Sequence, residues 1–123
     1  MKLHADQRSG NYIQSATVDA VVVDGLSYTS PLVVTPDRIL SDWSPPPLNE
    51  LTVDSFQLIL NLEPELILLG TGTAHQFVSN HLMTAIMSRG IGFEVMTTAA
   101  ACRTYNVLSA EDRRVAAALL LKP

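Results

Sequence analysis

Apolar positions are unevenly spaced along the chain, and their densest pattern lies in its second half. Leu66-Ile67-Leu68-Leu69 is an unbroken apolar run, as expected of a strand covered on both faces, and it stops at Gly70-Thr71-Gly72-Thr73. From Ala74 to Arg89 the spacing changes: Val78, Leu82, Ala85 and Ile86 recur at helical intervals, and Gly90 supplies a residue suited to a left-handed helix end. Phe93-Glu94-Val95-Met96 then reads as a second strand. Two strands joined by one helix within so short a stretch predict a right-handed crossover with the strands parallel.

Toward the N-terminus the pattern has the shorter period of antiparallel strands. Asn11-Tyr12-Ile13 begins the first segment of strand character, and residues 1–10 are polar and expected to be loose. Thr17 to Val23 is mostly β-branched and apolar, Asp24-Gly25 is a two-residue hairpin signal, and Leu26 to Ser30 continues with alternation. Pro31 would interrupt a central ladder, so the chain is expected to lie at an edge there or to bend before Leu32-Val33-Val34. Arg38 to Trp43 predicts another short strand, and Pro45-Pro46-Pro47 a stiff connector.

A helix capped by Thr52 or Asp54 is predicted through Leu62, ended by Pro64, with little polar face. Another, capped by Thr97 or Thr98, is predicted over Ala99 to Leu108, where Ala99, Ala100 and Ala101 permit close approach of a neighbouring backbone. Ser109 to Arg114 reads as a polar turn. Val115 to Leu121 suits either a buried strand or a helix by periodicity alone.

Composition narrows the function classes. A chain of 123 residues is expected to form a single domain over 1–123 with one core. Hydrophobic residues make up 47% and charged residues 16%, which points to extensive burial, an apolar partner surface, or both, and is compatible with a homo-oligomer. The net charge of -4 and the lack of any basic cluster beyond Arg113-Arg114 argue against nucleic-acid binding. The single Cys102 and an N-terminal stretch without a signal-peptide core fit a cytoplasmic protein, and no transmembrane segment is expected.

Three segments carry a family resemblance: Leu68-Leu69-Gly70-Thr71-Gly72, Gly90 through Thr98, and Ala100-Ala101-Cys102-Arg103-Thr104-Tyr105-Asn106-Val107-Leu108, the last being the most specific. The chain resembles a small α/β domain family of formally unknown function, of the Mth type. Its relatives include a mitochondrial respiratory complex I assembly factor and an adipogenesis-associated protein. The resemblance runs more loosely from Asp24-Gly25 to Leu119. It implies an α/β fold with a mixed β-sheet containing the parallel crossover, an N-terminal β-hairpin layer, helices packed on the sheet, and no established catalytic residues. It also favours a strand for Val115 to Leu121, and fits a bacterial single-domain member without transferring a mitochondrial role.

The chemistry-bearing residues are few. Gly70, Thr71, Gly72 and Thr73 form a turn that could present amides and a helix N-terminus to an anionic ligand or nucleotide. The dinucleotide fingerprint is incomplete, since His75 stands where its third glycine would fall, no acid ends the second strand, and no lysine follows the glycines. A tight strand-to-helix connection is therefore the expectation. Arg103, Tyr105 and Asn106 would face this turn in one polar patch if the two helices packed side by side, but the favoured expectation is that Asn106 satisfies backbone groups at a helix end. Cys102 is expected to be a small buried helix residue rather than a nucleophile. His4, His75 and His81 lack metal-ligand spacing, so neither metal nor cofactor is expected. The leading expectation is a non-enzymatic interaction or assembly domain with an unidentified protein partner. The alternative is a ligand-binding domain or enzyme using the glycine turn.

Overall fold

The computed structural model describes residues 10–17 and 19–121. Five strands form the main sheet in the order β5-β4-β8-β6-β7, where β4 is Leu32–Thr35, β5 Arg38–Leu40, β6 Leu66–Gly70, β7 Gly92–Met96 and β8 Val115–Leu119. Strand β6 pairs parallel with both β7 and β8, while β4 pairs antiparallel with β8 and β5, making the sheet mixed as expected. A second sheet of three antiparallel strands holds β1 (Ile13–Ala16), β2 (Val21–Val23) and β3 (Leu26–Tyr28).

Successive residues of the main sheet serve two cores, as strand pleating requires. Leu66, Leu68, Val115, Ala117 and Leu119 point into one, and Ile67, Leu69, Ala116 and Ala118 into the other. The helices divide the same way. Helix α3 (Thr98–Ala110) puts Ala101, Cys102 and Tyr105 into the first core, and helix α2 (Asn80–Met87) puts Leu82 and Ile86 into the second. The connection from β6 to β7 moves one way across the sheet, whereas that from β7 to β8 returns past β6. Two right-handed crossovers in opposite directions must leave their helices on opposite faces. The first core also contains Ile13, Val21 and Val23 of the small sheet, so α3 is sandwiched between two sheets. Much of the apolar surplus is absorbed in this way, and α3 needs small residues because it has little free surface.

The local chemistry explains most elements. Asp24 (φ 49) and Gly25 (φ 89) both take positive φ in the turn joining β2 and β3, the geometry favoured in two-residue hairpins. Pro31 stands where the chain leaves the small sheet for the large one, so the missing amide donor interrupts no ladder. Gly90 ends the α2 segment at φ 80, and Thr97 caps α3 by accepting from the Ala100 amide at 3.2 Å.

Several expectations need correction. Helix α2 begins at Asn80 and not at Ala74, because Ser79 takes the cap position and accepts from the Leu82 amide at 3.1 Å; residues 74–79 are irregular. The predicted strand over Thr17 to Val23 begins only at Val21, since Thr17 makes a turn in which its hydroxyl accepts from the Asp19 and Ala20 amides, and the hairpin layer gains a third strand. The helix predicted through Leu62 is a 3-10 turn, Val53–Phe56, followed by the short α1, Gln57–Leu60. Helix α3 continues to Ala110, placing Ser109 inside it. Val115–Leu119 is a strand, and the expected loose segment falls, for residues 1–9, outside the described residues.

Candidate functional site

The parallel strands β6 and β7 send their following connections to opposite faces of the sheet, which opens a crevice beyond their carboxyl ends. Open α/β sheets place ligands at such switch points. Here the crevice is a cleft of about 500 Å³. Thr71, Gly72, Thr73 and Gln76 line one side and Thr97, Thr98 and Ala99 the other, with Ala16, Thr17, Leu120 and Leu121 closing it.

Thr98 holds the floor together. Its hydroxyl donates to the Leu120 carbonyl at 2.7 Å and accepts from the Gly72 amide at 2.8 Å, while its own amide donates to the Gly72 carbonyl at 2.9 Å. The chain after β8 is thereby tied to the turn after β6. The Thr71 amide donates to the Met96 carbonyl at 2.8 Å, and its hydroxyl to the Ala74 carbonyl at 2.7 Å. Gly70 is required by close approach, since a Cβ there would lie 2.8 Å from the Thr98 Cα. Gly72 is required by its φ of 98, and a Cβ at that position would meet nothing within 4 Å.

Of the six residues singled out in the sequence, the structure gathers Gly70, Thr71, Gly72 and Thr73 at this turn. Arg103 and Asn106 lie elsewhere, because α3 packs on the face opposite α2. The Asn106 side chain accepts from the Ile13 amide at 3.0 Å and donates to the Ile13 carbonyl at 2.8 Å. Beside it the Tyr105 hydroxyl donates to the Asn11 carbonyl at 2.8 Å. These side chains dock β1 on α3, so Asn106 does satisfy backbone groups, though those of a strand instead of a helix end. Arg103 is exposed and does not line the cleft. Thr98, Thr97 and Gln76 were not among the sequence candidates. The doublet Thr97-Thr98 was the available signal: one threonine suffices to cap a helix, which leaves the second free for another task.

The chemistry open to this cleft is restricted. The amides of Thr71 and Gly72 already donate within the protein. Among the described residues, none that lines the cleft is Asp, Glu, Lys, Arg, His, Cys or Tyr, so these offer no proton donor or acceptor that titrates near neutrality and no nucleophilic thiol. Cys102 sits 4% exposed in the first core, where burial pushes its thiol up to about 12, far from a reactive thiolate. Among the described residues no three His, Cys, Asp or Glu side chains converge to hold a metal ion, and no helix is long and apolar enough to cross a membrane. Outside the cleft, Phe77 projects from the irregular segment before α2 with 88% of its surface exposed, its ring edge-on to His75 at 4.9 Å.

Fold and site together define a mixed α/β domain with a switch-point cleft in which no described lining residue is Asp, Glu, Lys, Arg, His, Cys or Tyr. Comparison with known proteins makes the class specific: the chain belongs to the family described as protein of unknown function (DUF498/DUF598), which matches residues 13–120. It is 34% identical over 114 residues to the bovine NADH dehydrogenase [ubiquinone] 1 alpha subcomplex assembly factor 3, covering 91% of this chain and 61% of that protein. The chain thus spans about three-fifths of that relative's length. Among solved structures, a Xanthomonas campestris protein determined by NMR superposes with a TM-score of 0.83 at 39% identity, covering 90% of this chain and 84% of the other. A Bordetella pertussis protein described as a Mth938-like domain superposes with a TM-score of 0.77 at 26% identity, covering 98% and 92%. The expected family and fold class are those found.

Proposed function

We propose that this protein is a non-enzymatic interaction domain that holds an unidentified protein partner during assembly of a complex. The observation that carries the reading is Phe77, a large aromatic side chain 88% exposed on a segment that buries almost nothing else. It lines a hollow together with Val78, Met83 and Val95, and the polar wall of that hollow is His75 and Asn80. Exposed aromatic anchors next to apolar hollows are typical centres of binding energy in protein interfaces. The absence of acid, base and thiol among the described lining residues supports a non-enzymatic role, as does the assembly-factor name of a relative at 34% identity. The net charge of -4 supports a protein rather than a nucleic acid as partner. A cytoplasmic location and a homo-oligomer are both compatible with this reading.

The reading is tested by quantitative affinity capture from the source cell with wild type and Phe77→Ser. Because Phe77 packs mainly on exposed His75, the variant should keep its thermal midpoint within a few degrees. At least one protein captured by wild type should fall about tenfold or more with Phe77→Ser, as loss of a central aromatic anchor implies. Equal capture of every protein by the two forms would overturn the proposal.

A further inference from the structure

We infer that the switch-point cleft binds a small uncharged molecule that combines several hydrogen-bonding groups with an apolar face. This goes beyond the interaction role and does not depend on it. The volume of about 500 Å³ lies in the range of small-molecule sites, and the position, outside the carboxyl ends of diverging parallel strands, is where such sheets bind ligands. Neutrality follows from the walls. Among the described residues no lining side chain carries a formal charge, so a charged ligand would lose its hydration without a countercharge from them to replace it. At the turn the Thr71 and Gly72 amides are already engaged.

The walls do offer neutral partners. Among the described residues the Thr73 hydroxyl has no hydrogen-bond partner, the Gln76 amide reaches the Thr71 carbonyl only at 3.5 Å, and the Thr97 hydroxyl accepts from the Ala100 amide with its own proton uncommitted. Together they supply donors and acceptors to a ligand's polar edge. Ala16, Ala99, Leu120 and Leu121 supply the apolar side. Gly72 leaves its stretch of wall open for backbone-level approach, because a Cβ there would meet no protein atom within 4 Å.

The test is a titration of the amide NMR spectrum with matched neutral and charged probes: adenosine against AMP, nicotinamide against nicotinate, and glucose against glucose 6-phosphate. At least one neutral probe should give saturable shifts confined to Gly72, Thr73, Gln76 and Thr97 to Ala99, and which pair responds identifies the ligand type. Its charged counterpart should bind at least tenfold more weakly. Thr73→Val with Gln76→Leu, both exposed positions whose replacement leaves the fold intact by circular dichroism, should weaken the neutral probe threefold or more. Absence of saturable shifts with all three neutral probes, or binding of a charged probe as tight as its neutral partner's, would overturn the inference.

Discussion

Thr98→Val removes one oxygen atom and little volume, yet two main-chain groups depend on that oxygen. The hydroxyl accepts from the Gly72 amide at 2.8 Å and donates to the Leu120 carbonyl at 2.7 Å, and Thr98 itself is only 4% exposed. An orphaned buried polar group costs about 1–3 kcal/mol. Gly72 and Leu120 are half-buried beside the cleft and can recruit some water, so the two together should cost roughly 2–4 kcal/mol. Thr98→Ser keeps the hydroxyl and loses one methyl, for about 0.5–1.5 kcal/mol. With an unfolding entropy near 2.1 cal/mol/K per residue over 123 residues, 3 kcal/mol corresponds to roughly 10 °C in Tm. Urea and thermal unfolding followed by circular dichroism measure both variants. Equal stability of Thr98→Val and Thr98→Ser would refute the bridging role, since methyl packing alone would then account for the position.

Three other perturbations separate the parts of the fold. Asn106→Leu should cost about 2 kcal/mol through its two lost bonds to Ile13 and speed hydrogen exchange in the small sheet before the main sheet opens; uniform acceleration would contradict its role as a clip. Burial raises the Cys102 thiol to about 12, so its contribution to stability is complete below the ordinary thiol range and is lost as pH rises toward that value; native Cys102 should react slowly with thiol reagents near pH 8, and Cys102→Ala should flatten the alkaline fall in stability. The Glu65 carboxyl is held below its ordinary range by the Arg114 amide at 2.8 Å and then by the Arg113 guanidinium at 2.9 Å. It therefore stabilises the fold above the ordinary carboxylate range and ceases to do so as pH falls through its lowered value, so Glu65→Gln should be less stable than wild type at pH 7 and equal to it in strong acid.

Elements whose evidence is local were legible in the sequence. The apolar runs at Leu66 and Phe93, the Asp24-Gly25 turn, the Thr97 cap and Gly90 each act through neighbouring residues, and each stands where its chemistry put it. Strand order has no such local signature: nothing in Val115–Leu119 says that it inserts between β4 and β6. That insertion reverses the crossover direction, sends α3 to the opposite face, and carries Asn106 to β1 instead of the glycine turn. The start of α2 was misplaced because Ala74 to Val78 offered only Val78 to the helical pattern, too little to outweigh the Ser79 cap. The four turn residues of the candidate site were legible as a glycine turn. Thr98 was not, because its partners Gly72 and Leu120 are distant in sequence and meet only once β8 lies beside β6.

The interaction reading rests on the exposed face around Phe77, and site-specific photo-crosslinking in the source cell addresses that face without disrupting it. A benzophenone amino acid would be placed at Phe77 in one form and at exposed Arg38, on the far edge strand, in another. Irradiation should yield at least one discrete protein adduct from position 77 that is absent from position 38; an adduct with a second copy of the chain would identify the partner as itself. No adduct at position 77 beyond the pattern given by position 38 would contradict the reading, because an interaction domain must meet its partner through a surface, and the reading assigns that surface to the face around Phe77.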